Sequence, residues 1–209
     1  MIARGALALA VCLAGSRLLG QAAPEAPRPY AERALEKLGR RLEADPALQA
    51  VGASDQPLEG FTPAVLVRLN DATMAAFARA LAATLARAEG ACQEFLNGGA
   101  EGFLAILAVA DSATVDVWLS VIEQAVYAQA FDWPELPVVD AEEWNEFVEE
   151  VLMSLPEVDR RRLTVLAGRA GPADYCWFFE VVLGAVAELP VARAGPVMRA
   201  IFAATDAEP

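Results

Sequence analysis

Residues 111–147, DSATVDVWLSVIEQAVYAQAFDWPELPVVDAEEWNEF, decide the fold class. Asp111 or Ser112 opens a helix in which Val115, Leu119, Ile122 and Val126 recur with helical period, while Asp116, Glu123 and Tyr127 face outward. From Phe131 to Val139 the pattern breaks, because Pro134 and Pro137 push the residue before each of them out of helical dihedrals. Asp140-Ala141-Glu142-Glu143 then forms a capping box and starts a helix with the stripe Trp144, Phe147, Val151 and Leu152.

The flanks read the same way. Towards the N-terminus, Tyr30, Leu35, Leu38 and Leu42 mark a helix from about Pro29 to Ala44, with Glu36 reaching towards Arg40. Asp45-Pro46 starts a short helix to about Val51, and Gly52 to Gly60 is a polar connection. Thr62-Pro63 opens another short helix through Leu69. Asp71 caps a long one with the stripe Met74, Phe77, Leu81 and Leu85, Arg79 and Arg87 on its wet side, and Gly90 at its end. Cys92 begins a short helix stopped by Asn97-Gly98-Gly99, and Phe103 to Val109 reads as a buried helix.

Towards the C-terminus, Ser154-Leu155-Pro156-Glu157 is a second capping box, whose helix ends near Gly168. Gly171-Pro172 opens a helix from about Ala173 to Glu188, and the last carries Pro196, Val197, Met198, Ile201 and Phe202. Alternating β-branched runs do not occur. The expectation is all-α: a single domain of about eight to ten helices, over residues 30–209, in an orthogonal or irregular bundle. A faint echo between Asp71–Cys92 and Asp159–Cys176 is too loose to count as a repeat.

Composition narrows the chemistry. The 209 residues include no His, which removes Ser-His-Asp and Cys-His machinery and the HExxH zinc helix. A net charge of −13 argues against coating nucleic-acid phosphates. The basic residues are all Arg except Lys37, which together with the alanine content suggests a GC-rich bacterial genome.

Met1-Ile2-Ala3-Arg4 is a basic start, followed by an apolar run from Gly5 to Gly15. Eleven residues rise only about 16 Å as a helix, too little for a hydrocarbon core of about 30 Å. The pattern is that of a secretory signal peptide over residues 1–22, cleaved after Ala22, with Ala14-Gly15-Ser16 as the alternative. Residues 23–29 form a Pro-rich leader. Bulky Val11 before Cys12 disfavours a lipoprotein anchor there. Cleavage takes the charge from −13 to −15, since Arg4 and Arg17 leave and no acid does. No later stretch spans a membrane: Phe103 to Ala110 lies between Glu101 and Asp111, and Trp177 to Ala187 is interrupted by Glu180. The predicted location is the periplasm or the extracellular space.

Export gives the remaining cysteines a meaning. Cys92 and Cys176 have only each other, and an oxidising compartment predicts a disulfide. With no His and no CxxC, neither is a candidate nucleophile.

Four constellations invite chemistry. Glu142, Glu143, Glu146, Glu149 and Glu150 share one helix, where carboxylates could converge on a hard cation, yet no calcium-loop pattern accompanies them and a solvated face is the plainer reading. Arg160, Arg161 and Arg162 are the densest positive charge and point about 100° apart, which suits local ion pairing (Arg160 with Glu157) better than one flat anion patch. Phe131, Trp133, Trp144, Phe147, Trp177, Phe178 and Phe179 supply core, or a groove in which the 131–139 connection covers an apolar cleft. Asp174-Tyr175 near Arg169 is a polar spot without a catalytic signature.

The predicted function is a non-catalytic exported binding or accessory module, taking a protein, peptide or lipid at an inter-helix groove formed by Phe131, Trp133, Trp144, Phe147 and Trp177, with no cofactor, metal or nucleic acid. The alternative is a hydrolase or metal-dependent enzyme using the 140–150 carboxylates.

Overall fold

The computed structural model describes residues 30–51, 63–87, 92–93, 106–166 and 172–206. The signal segment, its cleavage site, Cys12, the Pro-rich leader, the 52–60 connection, Gly90, the Asn97-Gly98-Gly99 stop, and Gly168 and Arg169 lie outside them. Every regular element described is a helix: α1 Tyr30–Glu43, α2 Pro46–Ala50, α3 Pro63–Leu66, α4 Asp71–Leu85, α5 Ser112–Ala130, α6 Ala141–Ser154, α7 Glu157–Leu166, α8 Pro172–Glu188 and α9 Val191–Asp206. No strand occurs among the described residues. None of these helices is long and apolar enough to cross a membrane.

Helix α4 is the axle of the bundle. Its stripe of Met74, Phe77, Leu81 and Leu85 is buried, and so are Ala75, Ala78 and Ala80, because α5, α8 and α9 pack around it. Helix α1 lies on α5, and α3 on α9. Full burial of each large side chain stabilises by roughly 1.5–3 kcal/mol, so the axle dominates the core. At its centre Phe77 meets Trp118 of α5 edge-on at 5.0 Å and stacks on Phe202 of α9 at 5.7 Å. Trp118 is fully buried, and its indole N–H donates to Thr84 Oγ1 at 3.2 Å, whose own hydroxyl donates to the Ala80 carbonyl at 2.7 Å. The polar tip of the largest core residue is thereby satisfied.

Three local readings change. Asn70, not Asp71, caps α4: its side chain accepts from the Thr73 N–H at 3.0 Å, and Asp71 becomes the first helical residue. Ser154 does not cap α7, since its hydroxyl turns back to the Val151 carbonyl at 2.7 Å and ends α6 instead. On α5 the buried face is Val115, Trp118, Val121, Ile122, Ala125 and Ala128, while Leu119 and Val126 are only half-buried. Contacts with both α1 and α4 rotate and widen that face. The other caps stand as read: Asp45 for α2, Asp111 for α5, and the Asp140–Glu143 box for α6.

Pro196 falls inside α9. The neighbouring Gly195 permits a close approach of α9 to the start of α4: a Cβ there would lie 2.5 Å from the Asp71 Cα and 2.6 Å from its Cβ. These obstacles cannot swing aside as a side-chain tip would. Gly195→Ala is expected to destabilise at the upper end of the overpacking range, about 3 kcal/mol. The control is Gly184→Ala on α8, where nothing stands within 4 Å and helix propensity alone favours alanine by roughly 0.5–1 kcal/mol. Opposite shifts of the two urea midpoints check both statements.

The sulfurs of Cys92 and Cys176 are at disulfide distance, with their Cα atoms 5.6 Å apart. Both residues are buried, and the pair joins position 92 to α8.

Candidate functional site

Helix α5 ends by placing Asp132 in the left-handed region at φ 47°, where glycine is usual. The Trp133 N–H reaches back to the Ala128 carbonyl at 2.9 Å, and the Asp132 N–H to that of Gln129 at 3.3 Å. This paired closure of the helix end sets the direction in which residues 133–140 leave. The segment is extended, as its prolines demand, and forms a strap across the α3–α4 corner.

Three ties hold the strap. The Leu136 N–H donates to the Val67 carbonyl at 3.0 Å, and Asp132 pairs with Arg68 at 2.6 Å. The third tie is Arg199 of α9, only 2 % exposed, whose Nε donates to the Pro137 carbonyl at 2.8 Å. Its Nη1 donates to the Leu69 carbonyl at 3.0 Å, and its Nη2 meets Asp71 at 2.7 Å. One guanidinium thus fastens α9, the start of α4 and the strap, which is the fork geometry that lysine lacks.

The five groove candidates differ in burial and in their recorded neighbours. Trp133 and Trp144 are half-buried and pack against the edge of the core, with Trp144 tilted against Phe147 at 5.8 Å. Phe147 is 1 % exposed and belongs to the core. Phe131 is exposed and stacks on Tyr127 at 6.0 Å. Trp177 is half-buried on α8, with the Arg162 guanidinium over its ring at 4.4 Å. Phe178 is exposed and Phe179 half-buried. The strap thus carries half-buried Trp133 between exposed Phe131 and exposed Val138, and half-buried Trp144 follows on α6.

A separate cleft of about 690 Å³ lies between α4 and α8, lined by Ala82, Ala83, Ala86, Gly184 and Ala187, with Arg79, Glu180 and Glu188 at its rim. Sequence reading missed it. The small residues were visible, but that the two helices face each other is tertiary information. Arg79 is tied there, its Nε donating to the Ala187 carbonyl at 3.2 Å.

No family model matches the chain, and no curated protein or solved structure matches it.

The α6 carboxylates point into solvent: Glu142, Glu143, Glu146, Glu149 and Glu150 are all exposed. Glu143 completes the cap and Glu150 pairs with Arg193 at 2.9 Å. Among the described residues no group of three or more Cys, Asp or Glu is placed to hold a metal ion. On α7, Arg161 pairs with Glu157, and Arg160 approaches the Met153 sulfur at 3.9 Å. Asp174 and Tyr175 fall in α8, and their side chains are outside the described set.

Two acidic positions are tuned. The Tyr127 hydroxyl donates to Asp45, which lowers the Asp45 pKa and raises that of Tyr127. The Thr114 N–H, then the Arg87 side chain, hold Asp111 at about 2. An aspartate depressed in the folded state contributes above its unfolded value of about 3.9 and loses that contribution as pH falls. The thermal midpoint is therefore expected to drop between pH 4 and pH 2, with a shallower drop in Asp111→Asn. Parallel acid profiles for the two proteins would contradict this.

Proposed function

We propose that the protein is an exported, non-catalytic binding module that takes an apolar peptide or lipid segment at the margin between the 131–139 strap and α6. The observation that carries the reading is the state of Trp133 and Trp144. Both are half-buried against the core, Trp133 on the strap that also carries exposed Phe131 and Val138, and Trp144 on the helix that follows it. Amphipathic rings at a half-open edge gain apolar burial when a chain or tail covers them. Phe147, buried in the core, backs Trp144, and Trp177 is engaged by Arg162. Export is supported by the buried Cys92–Cys176 pair, since such pairs persist in oxidising compartments.

The test is tryptophan emission during titration with a medium-chain fatty acid and with an amphipathic helical peptide. Binding is expected to shift the emission to the blue, and Trp133→Ala or Trp144→Ala to weaken the apparent affinity about tenfold, the equivalent of one lost aromatic contact. Emission indifferent to every apolar probe refutes the reading. Recovery of the chain from the periplasm, lacking residues 1–22, tests the export half separately.

A further inference from the structure

We propose that Met153 is a modification site: its thioether takes one oxygen atom from a hydroperoxide, and Arg160 holds the sulfoxide that results. Burial separates the methionines of the described residues. Met153, in the last turn of α6, is 68 % exposed, whereas Met74 on α4 and Met198 on α9 have no exposure. The sulfurs of Cys92 and Cys176 are already at bonding distance from each other, which leaves thioethers as the softest nucleophiles among the described residues. Exposure makes a methionine reactive, but a second group marks this one. Arg160 Nη1 donates to the Met153 sulfur at 3.9 Å, across the elbow between α6 and α7.

A thioether is a weak acceptor, so this contact gains little in the resting protein. It gains more as the chemistry proceeds. The sulfur lone pair attacks one peroxide oxygen, and the S–O bond forms as the O–O bond breaks. The departing oxygen leaves with the O–O electron pair and takes up the proton of the oxygen transferred. Sulfur is oxidised by two electrons, and hydrogen peroxide is reduced to water. Negative charge grows on both oxygens beside the Arg160 guanidinium, so the same donor favours the transition state and then bonds the sulfoxide oxygen. A hydrogen bond from a cation is roughly twice as strong as a neutral one, which makes the sulfoxide a firmer tie than the thioether between the end of α6 and α7. Oxidation of a buried methionine disrupts a core; here the new polar group stands at the surface with a donor in place. None of the residues in the strap reading takes part, so this result and the tryptophan titration are independent.

The experiment treats the chain prepared without residues 1–22 with dilute hydrogen peroxide and follows each methionine by peptide mass, with N-acetylmethionine amide in the same tube as the standard. Met153 is expected to gain its oxygen on the order of a hundredfold faster than Met74 or Met198, which react only when the bundle opens. Arg160→Ala is expected to slow Met153 about fivefold, the equivalent of one hydrogen bond. The sign separates the two roles open to the arginine, since removing a side chain that merely covers the sulfur would speed the reaction. Slow Met74 and Met198 in the same sample report that the variant is folded. Amide exchange over residues 154–160 should slow on oxidation of the wild type but not of Arg160→Ala, with no fall in the thermal midpoint. Oxidation of Met74 or Met198 at a rate near that of Met153, an Arg160→Ala variant that oxidises as fast as the wild type or faster, or oxidation that fails to slow exchange at the elbow or lowers the midpoint overturns the proposal.

Discussion

Arg199→Met is expected to lower the free energy of unfolding by about 3 kcal/mol. Methionine fills the volume of the side chain but provides no donor. The Leu69 carbonyl, on a residue with no exposure, loses its partner and bears the full penalty for a buried unpaired acceptor, about 1–3 kcal/mol. The Pro137 carbonyl is nearer water and costs less. Asp71 is 42 % exposed, so its carboxylate rehydrates and its ion pair with Arg199 is discounted accordingly. With an m-value of roughly 2 kcal/mol per molar urea, the midpoint should fall by more than about 1 M. Arg199→Lys keeps the charge but cannot reach three acceptors at once, and should fall between. The strap loses its α9 tie, so Trp133 emission should redden before global unfolding. An unchanged urea midpoint in Arg199→Met refutes the clasp as a source of stability.

The second large effect comes from the sulfur pair. Cys92 and Cys176 are 84 residues apart in sequence, and closing such a loop stabilises by roughly 4 kcal/mol in the chain-entropy model. For a domain of this size that corresponds to about 10 °C in thermal midpoint. The double variant Cys92→Ala/Cys176→Ala should show the loss in full, and a reductant should reproduce it in the wild type. In the oxidised protein prepared without residues 1–22, maleimide should label no thiol, and two after reduction and unfolding. A midpoint insensitive to reductant, with both thiols demonstrably free, contradicts the assignment.

What was legible in the sequence follows from how local each signal is. Asp45-Pro46, Asp111 and the Asp140–Glu143 box are caps whose acceptors and donors lie within three residues of each other, so the sequence alone specifies them. The strap was legible because Pro134 and Pro137 act on their own neighbours. Where two capping residues stood side by side, at Asn70 and Asp71, the choice was settled from outside the segment: Arg199 engages Asp71 and Asn70 takes the helix end. Trp118 was passed over because the buried face of α5 depends on both α1 and α4, which periodicity within α5 cannot show. Arg199 carried no signal at all. It reads as an ordinary helical arginine until the fold brings two carbonyls and a carboxylate around it. Among the groove candidates, helical spacing placed Trp144 beside Phe147, but nothing local could say that the Arg162 guanidinium would lie over Trp177.

The covalent closure from 92 to 176 encloses α5, the strap, α6 and α7. A protease that clips once within that loop, most readily on an extended segment such as the strap, leaves two fragments still joined through sulfur. The clipped molecule should run as one species on a gel until thiol is added, and then as two. A single cut there would therefore break the backbone without releasing half of the bundle.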